Sequence, residues 1–400
     1  MLRKLGPVAL ISVVVVLAAC SEDAPGEDFG SQAIDAASPQ VGDCVIHADR
    51  DCSGMDLSGQ DLSGGSAHAS KFVGTNFTNA NLTNFSADEA DFTKANLSGA
   101  TLDGMVAFKA NFTDATFDGA KGKNVNYSQS NCSGASFANV TLDQVAFNTA
   151  KCPGSVFTGA TLDGANFTAV DLTGADFTGA SMVQATLAGA ILSKAVLSNA
   201  DLSGAGFQTA KLDGATLTGT KLPDTNFTGV DLSGLSLAGD DLTGANFTSA
   251  LLTGADLSKA NLTNANLSGA TLDDASLLGA DLTAAVMGES SMQRVKLSNN
   301  TLSQVAMVGS NLSGALLDGV VANDTVFTHS VMADANLSGS KLTDVIMSSV
   351  DLSGADFTGA TLTGVNLTGA KLNGADFTGA TLTDVILTDA DTEGAIGLKQ

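Results

Sequence analysis

The chain holds no tryptophan, one tyrosine, three histidines and five prolines in 400 residues. Without large aromatics to plug irregular gaps, something repetitive must bury its apolar side chains. His47, His68 and His329 lie far apart, and no Cys/His spacing resembles a zinc site. No Gly-Lys-Ser/Thr follows a glycine loop, and no serine or threonine has a plausible His or Lys base on its face, so neither phosphate-loop nor hydrolytic chemistry is expected. We therefore expect no enzyme, cofactor or metal site. Basic residues are few: 18 Lys and Arg face 42 Asp and Glu, a net charge of −24. Such a surface repels phosphate backbones, so direct nucleic-acid binding is not expected.

Long apolar runs are also missing, with one exception at the start. Val8 to Leu17 is apolar apart from Ser12 and follows Arg3 and Lys4. The run is too short to span a bilayer and suits the core of a secretion signal. It ends in Leu17-Ala18-Ala19-Cys20, which resembles a bacterial lipobox, where small residues admit the peptidase and the Cys20 thiol accepts lipid. The resemblance implies removal of residues 1–19, a mature charge of −26 once Arg3 and Lys4 are gone, and a membrane anchor outside the cytoplasm. The membrane and leaflet are left open. Residues 20–43 then read as the lipidated cysteine and an acidic tether containing Pro25, Gly26, Pro39 and Gly42.

From Cys52 onward a five-residue rhythm runs without slipping. Every fifth residue from Leu57 to Leu387 gives 67 positions, and all but eight are Leu, Phe or Met. The eight are Ala67, Ala87, Ala107, Gly122, Tyr127, Cys132, Cys152 and Ala322. Two residues before each centre stands Ala or another small residue, as in Ala245-Asn246-Phe247-Thr248-Ser249. A period of five fits neither a helix nor a long strand; it calls for a turn every five residues. The unit resembles the pentapeptide-repeat family, over about 335 of the 400 residues. The resemblance implies an all-β, right-handed quadrilateral parallel β-helix of about 17 coils of 20 residues, roughly 80 Å long at ~4.8 Å per coil. We expect it to occupy residues 44–390, with 44–51 as N-terminal cap and 391–400 as a short tail.

Twenty-residue coils can be tested on side-chain volume, because cores keep a nearly constant density. Ala67, Ala87 and Ala107 are followed in their coils by Phe72, Phe92 and Phe112. The large residue then changes side, with Tyr127 before Cys132 and Phe147 before Cys152, while Gly122 lies between Phe117 and Tyr127. Cys132 and Cys152, twenty apart, fall at one position in adjacent coils and can be a disulfide or two small core residues. Cys44 and Cys52 flank the start of the repeats, where a bond would pin the cap. Asp201, Lys221 and Asp241 stack with alternating sign, which speaks for structure rather than calcium. Asp240 stands where Ala is usual, and Thr220, one coil before, is placed to offer it a hydroxyl.

Read as columns, one face stands apart. Around the centres from Tyr127 to Leu387, none of the 28 residues immediately before and after a centre is charged. Asn226, Thr228, Asn246, Thr248 and Asn266 continue into Val286, Val308, Val326 and Ile346. Asn and Thr ladders suit stacked strands, and that alone can account for the pattern. Alternatively charge is excluded because the face lies against a second rod or an extended protein or glycan partner. The family also includes acidic quinolone-resistance rods that resemble DNA and bind gyrase. That reading is disfavoured here by the export signal.

Overall fold

The structure, a computed structural model, describes residues 40–41 and 44–398. Every regular element among them is a strand. β1 (Gln40–Val41) and β2 (Cys44–Val45) form an antiparallel pair. Paired backbone thus begins a few residues before the expected start at Cys44. The Cys20 lipidation site lies outside the described residues.

From Asp51 to Ile396 the chain is a four-sided parallel β-solenoid. Its bridges join residues twenty apart, from Asp51↔Lys71 to Asp376↔Ile396, and recur at every fifth residue except between 216 and 236 and between 281 and 301. Four repeats therefore close one coil, and the ladder spans about 17 coils. The register also runs past residue 390: Lys371 bridges Asp391 and Asp376 bridges Ile396, so most of the expected tail belongs to the last coil. On one face alone the rungs lengthen into three-residue strands. These are β3 (Lys121–Lys123) with β4 (Thr141–Asp143), and the sheet β5 (Thr301–Ser303), β6 (Val321–Asn323), β7 (Lys341–Thr343), β8 (Thr361–Thr363) and β9 (Thr381–Thr383).

Each repeat works the same way. The N–H of a centre donates to the next coil, as Leu57 does to the Asn76 carbonyl at 2.7 Å. The N–H of the residue before a centre donates to the previous coil, as Asn76 does to the Met55 carbonyl at 2.9 Å. The corner closes when the small residue three after a centre donates back to it, as Ala80 does to Phe77 at 2.9 Å. The third residue of that turn has positive φ, which favours Gly, Asn and Asp. Asn79 adopts it at 57°.

The core is a column of centres and small residues, almost all fully buried. Phe72, Phe92 and Phe112 stack with ring centroids 4.9 and 5.0 Å apart. The column then moves to the neighbouring face, where Tyr127, Phe147 and Phe167 succeed one another at 5.1 and 5.2 Å. Phe117, Phe137, Phe157 and Phe177 form a further stack at 4.5 to 4.9 Å. Volume is thus traded within each coil as the sequence requires. Gly122 fits the scheme: a Cβ there would lie 2.8 Å from Val125 Cγ2 and 3.0 Å from Leu102. At the N-terminal end the buried Ile46 covers the first coil. Ser70 ties that cap down by donating from Oγ to the His47 carbonyl at 2.9 Å and accepting from the Arg50 N–H at 3.2 Å.

Candidate docking face

The expected cysteine stack is present. Cys132 and Cys152 have Cα atoms 4.4 Å apart and are joined as a disulfide. Cys52 is also disulfide-bonded, while the Cys44 side chain lies outside the described residues. Among the described residues no group of His, Cys, Asp and Glu could hold a metal ion. His47 is in the cap and accepts from Arg50 Nε at 3.0 Å; His68 is in the first coil and His329 at a corner. Asp171, Ile191, Lys211 and Asp231 bridge one another in successive coils, so the two carboxylates lie three coils apart. In the Asp201, Lys221, Asp241 ladder, Lys221 pairs with Asp201 at 3.4 Å. That pair is exposed and worth little to stability.

The uncharged face separates into two chemically distinct lengths. In the first, Asn226, Asn246 and Asn266 bridge one another in successive coils. Their side-chain oxygens are already occupied. Asn226 accepts from the Thr228 amide at 3.0 Å and hydroxyl at 2.6 Å, and Asn246 accepts from Thr248 at the same distances. Asn266 accepts likewise from Ser268, and its own amide donates to Thr248 Oγ1 at 3.1 Å. These are Asx turns that hold the corner, so the structural explanation covers this stretch. Further up, Ser128 proves buried rather than outward, donating to both Asn126 and Asn148.

The second length is different. Val286, Ala306, Val326 and Ile346 occupy four consecutive rungs, followed by Asn366 and Ile386. Val286 is 45%, Ile346 41% and Ile386 49% exposed, and Val308 beside them is 41% exposed. No local hydrogen bond explains an aliphatic side chain in that place. Val331, on the adjoining face and also exposed, extends the apolar surface around the corner. Reading single columns misses this extension; comparing neighbouring columns across a corner would have found it. Ion pairs flank the strip on other faces, among them Lys371 with Asp351 at 3.3 Å and Arg294 with Asp274 at 2.7 Å.

Asp240 departs from expectation. Its side chain is only 3% exposed, and neither carboxylate oxygen makes a hydrogen bond. The Thr220 hydroxyl does not serve it, because it donates to the backbone carbonyl of Leu217 instead. The carbonyl is the nearer acceptor within the corner, so the hydroxyl is already used.

Compared with known proteins, the chain matches the family described as pentapeptide repeats in overlapping segments covering residues 51–121, 142–348 and 351–389. No curated protein sequence matches it. Among solved structures, trypsin-treated QnrB1, a plasmid-mediated fluoroquinolone resistance protein, is 18% identical over 44% of this chain and 91% of its own, with TM-score 0.41. HetL, a pentapeptide repeat protein involved in heterocyst differentiation regulation from the cyanobacterium Nostoc sp. strain PCC 7120, is 30% identical over 59% of this chain and 88% of its own, with TM-score 0.20. A pentapeptide repeat protein of the Arabidopsis thaliana thylakoid lumen is 32% identical over 24% of this chain and 65% of its own, with TM-score 0.14.

Proposed function

This chain belongs to the pentapeptide-repeat family, and from that premise we propose that it is a non-catalytic, lipid-anchored rod outside the cytoplasm that docks a partner along its uncharged face. One observation carries the reading. In a chain of net charge −24, Val286, Val326 and Ile346 stand with Val308 on a face from which charge is missing. Charge is depleted at the centre of interfaces, and apolar side chains there gain by leaving water. A solenoid suits this role because its faces are rigid and repeat at strand spacing. The Cys20 lipobox supports anchoring, and the acidic stretch that follows supplies reach from the membrane.

The face is tested by site-specific photo-crosslinking in cells. A photoreactive residue replacing Val326 should give one discrete adduct, and adding Val286→Arg should abolish it. Thr243→Arg, on another face, should leave that adduct intact. Adducts of equal yield from Val326 and from Thr218, or none from Val326, would return the face to scaffolding.

A further inference from the structure

A solenoid face can be matched coil by coil to another solenoid, and the uncharged face carries enough detail to say how. It runs through fourteen coils, from Tyr127 to Leu387. At ~4.8 Å per coil, and with a width of ~10 Å set by the spacing of packed sheets, it offers roughly 650 Å². Two such faces together bury about 1,300 Å², within the ~1,200–2,000 Å² of a stable interface. The apolar length alone, from Val286 to Ile386, is six coils and would bury about 600 Å², too little for a specific complex. A stable contact therefore needs the polar length as well. Covering that length costs little: the Asn226 and Asn246 oxygens already accept from Thr228 and Thr248 and keep those partners when water leaves.

The edges of the face decide the orientation. The corner before the face carries Asp224, Asp324, Asp344 and Asp384, and the corner after it carries Glu289, His329 and Asp389. All seven occupy the positive-φ position of their turns. When two rods lie face to face and parallel, the first corner of one meets the second corner of the other at the same level. Asp324 then meets His329 of the second copy, Asp224 meets Gly229, Asp344 meets Ser349, and Glu289 meets Ala284. Like charges oppose each other only at the last coil, Asp384 with Asp389.

In an antiparallel pair each corner meets its own kind. Laying the apolar lengths together that way leaves six coils in contact and sets Asp324 against Asp344 and Glu289 against Asp389. Sliding the rods to full overlap places Val286, Ile346 and Ile386 on Asn226, Asn166 and Asn126, so the apolar side chains lose their counterparts. The parallel arrangement alone joins the apolar lengths while using the whole face.

We propose that the occupant of the uncharged face is a second copy of this chain, parallel and at the same level, each coil meeting its own counterpart about a two-fold axis along the rods. The inference rests on the docking reading above and names its partner. A second solenoid of this kind repeats at the same ~4.8 Å, so Val286, Val326 and Ile346 stay in step with their counterparts along the contact. The net charge of −24 on each chain lies on the corners and the other three faces. Parallel alignment also puts both N-terminal ends on one side, as two chains tethered to one membrane need.

Photo-crosslinking of the full chain in cells that co-express two differently tagged copies tests this. A photoreactive residue at Thr168, and separately at Val326, should give a product of twice the chain's mass that carries both tags. The linked peptides should come from the same coil of the two copies. Val286→Arg should lower both yields at least fivefold, because the contact is continuous, while Thr243→Arg should change neither. Peptides that link Thr168 to the coil of Ser348 would show an antiparallel pair and overturn the proposal, as would a Thr168 dimer that Val286→Arg leaves untouched. Capture of a different protein at Val326 without the doubly tagged product overturns the second copy as occupant and leaves the docking face standing. No adduct at either position overturns both.

Discussion

Replacing Tyr127 by phenylalanine removes one oxygen from the core and should stabilise the protein. The ring is fully buried and packs edge-on to Phe112 at 5.2 Å and Phe117 at 5.7 Å, with Phe147 tilted over it at 5.1 Å. The hydroxyl has no hydrogen-bond partner. Leaving such a group dry costs ~1–3 kcal/mol, whereas the dispersion lost with one oxygen is a few contacts at ~0.1–0.2 kcal/mol each. Tyr127→Phe should therefore gain about 1–2 kcal/mol, and Tyr127→Ala should lose ~3–5 kcal/mol by opening a cavity. The composition makes a second, independent assay possible, since Tyr127 is the only tyrosine and there is no tryptophan. Burial raises the Tyr127 pKa far above its ordinary 10. The group is then neutral in the fold over a pH range in which the unfolded chain would ionise it. Its contribution is fully present below pH 10 and is lost as pH rises beyond. Absorbance at 295 nm should stay flat through pH 11 while circular dichroism remains native, and in 6 M guanidinium it should titrate near 10. A reversible native-state titration near pH 10, together with a destabilised Tyr127→Phe, would refute the buried, unpartnered hydroxyl.

Three further outcomes are expected. Asp240→Asn should raise stability to urea at pH 8 and not at pH 4. The folded carboxyl lies near 7 against 3.8 when unfolded, so its stability contribution is complete below 3.8 and is lost as pH rises through 7. At full value that is ~4 kcal/mol; equal urea midpoint differences at both pH values would contradict this. Phe137→Ala removes a ring stacked on Phe117 and Phe157 and should cost ~3–5 kcal/mol in chemical denaturation, with early loss of the neighbouring coils. Cys20→Ala should move the protein from the membrane to the soluble fraction on cell fractionation; unchanged membrane partition would remove the lipid anchor from the proposed function.

The spacing of five determined the fold almost completely. A centre and a small residue that must point inward, with a turn-forming residue between successive units, leave the chain one way to bury both, and coil length followed from volumes such as Ala67 against Phe72. Cys132 and Cys152 could be placed in adjacent coils by counting, because a solenoid turns sequence separation directly into distance. The columns of the outer faces were legible for the same reason, and with them the missing charge around Asn246 and Val326. Counting could not say which outward residues are already occupied. Asn226 and Val286 hold the same position in the repeat, yet the first accepts two hydrogen bonds from Thr228 and the second leaves nearly half its surface to solvent. That distinction depends on side-chain geometry within the corner. Asp240 was recognisable as an anomaly from its place in the register, but its consequence was not. Whether a buried carboxylate is satisfied depends on where the Thr220 hydroxyl turns and on which groups of the neighbouring coil reach it. Both are set by packing between residues twenty positions apart, and only the stacked structure brings them together.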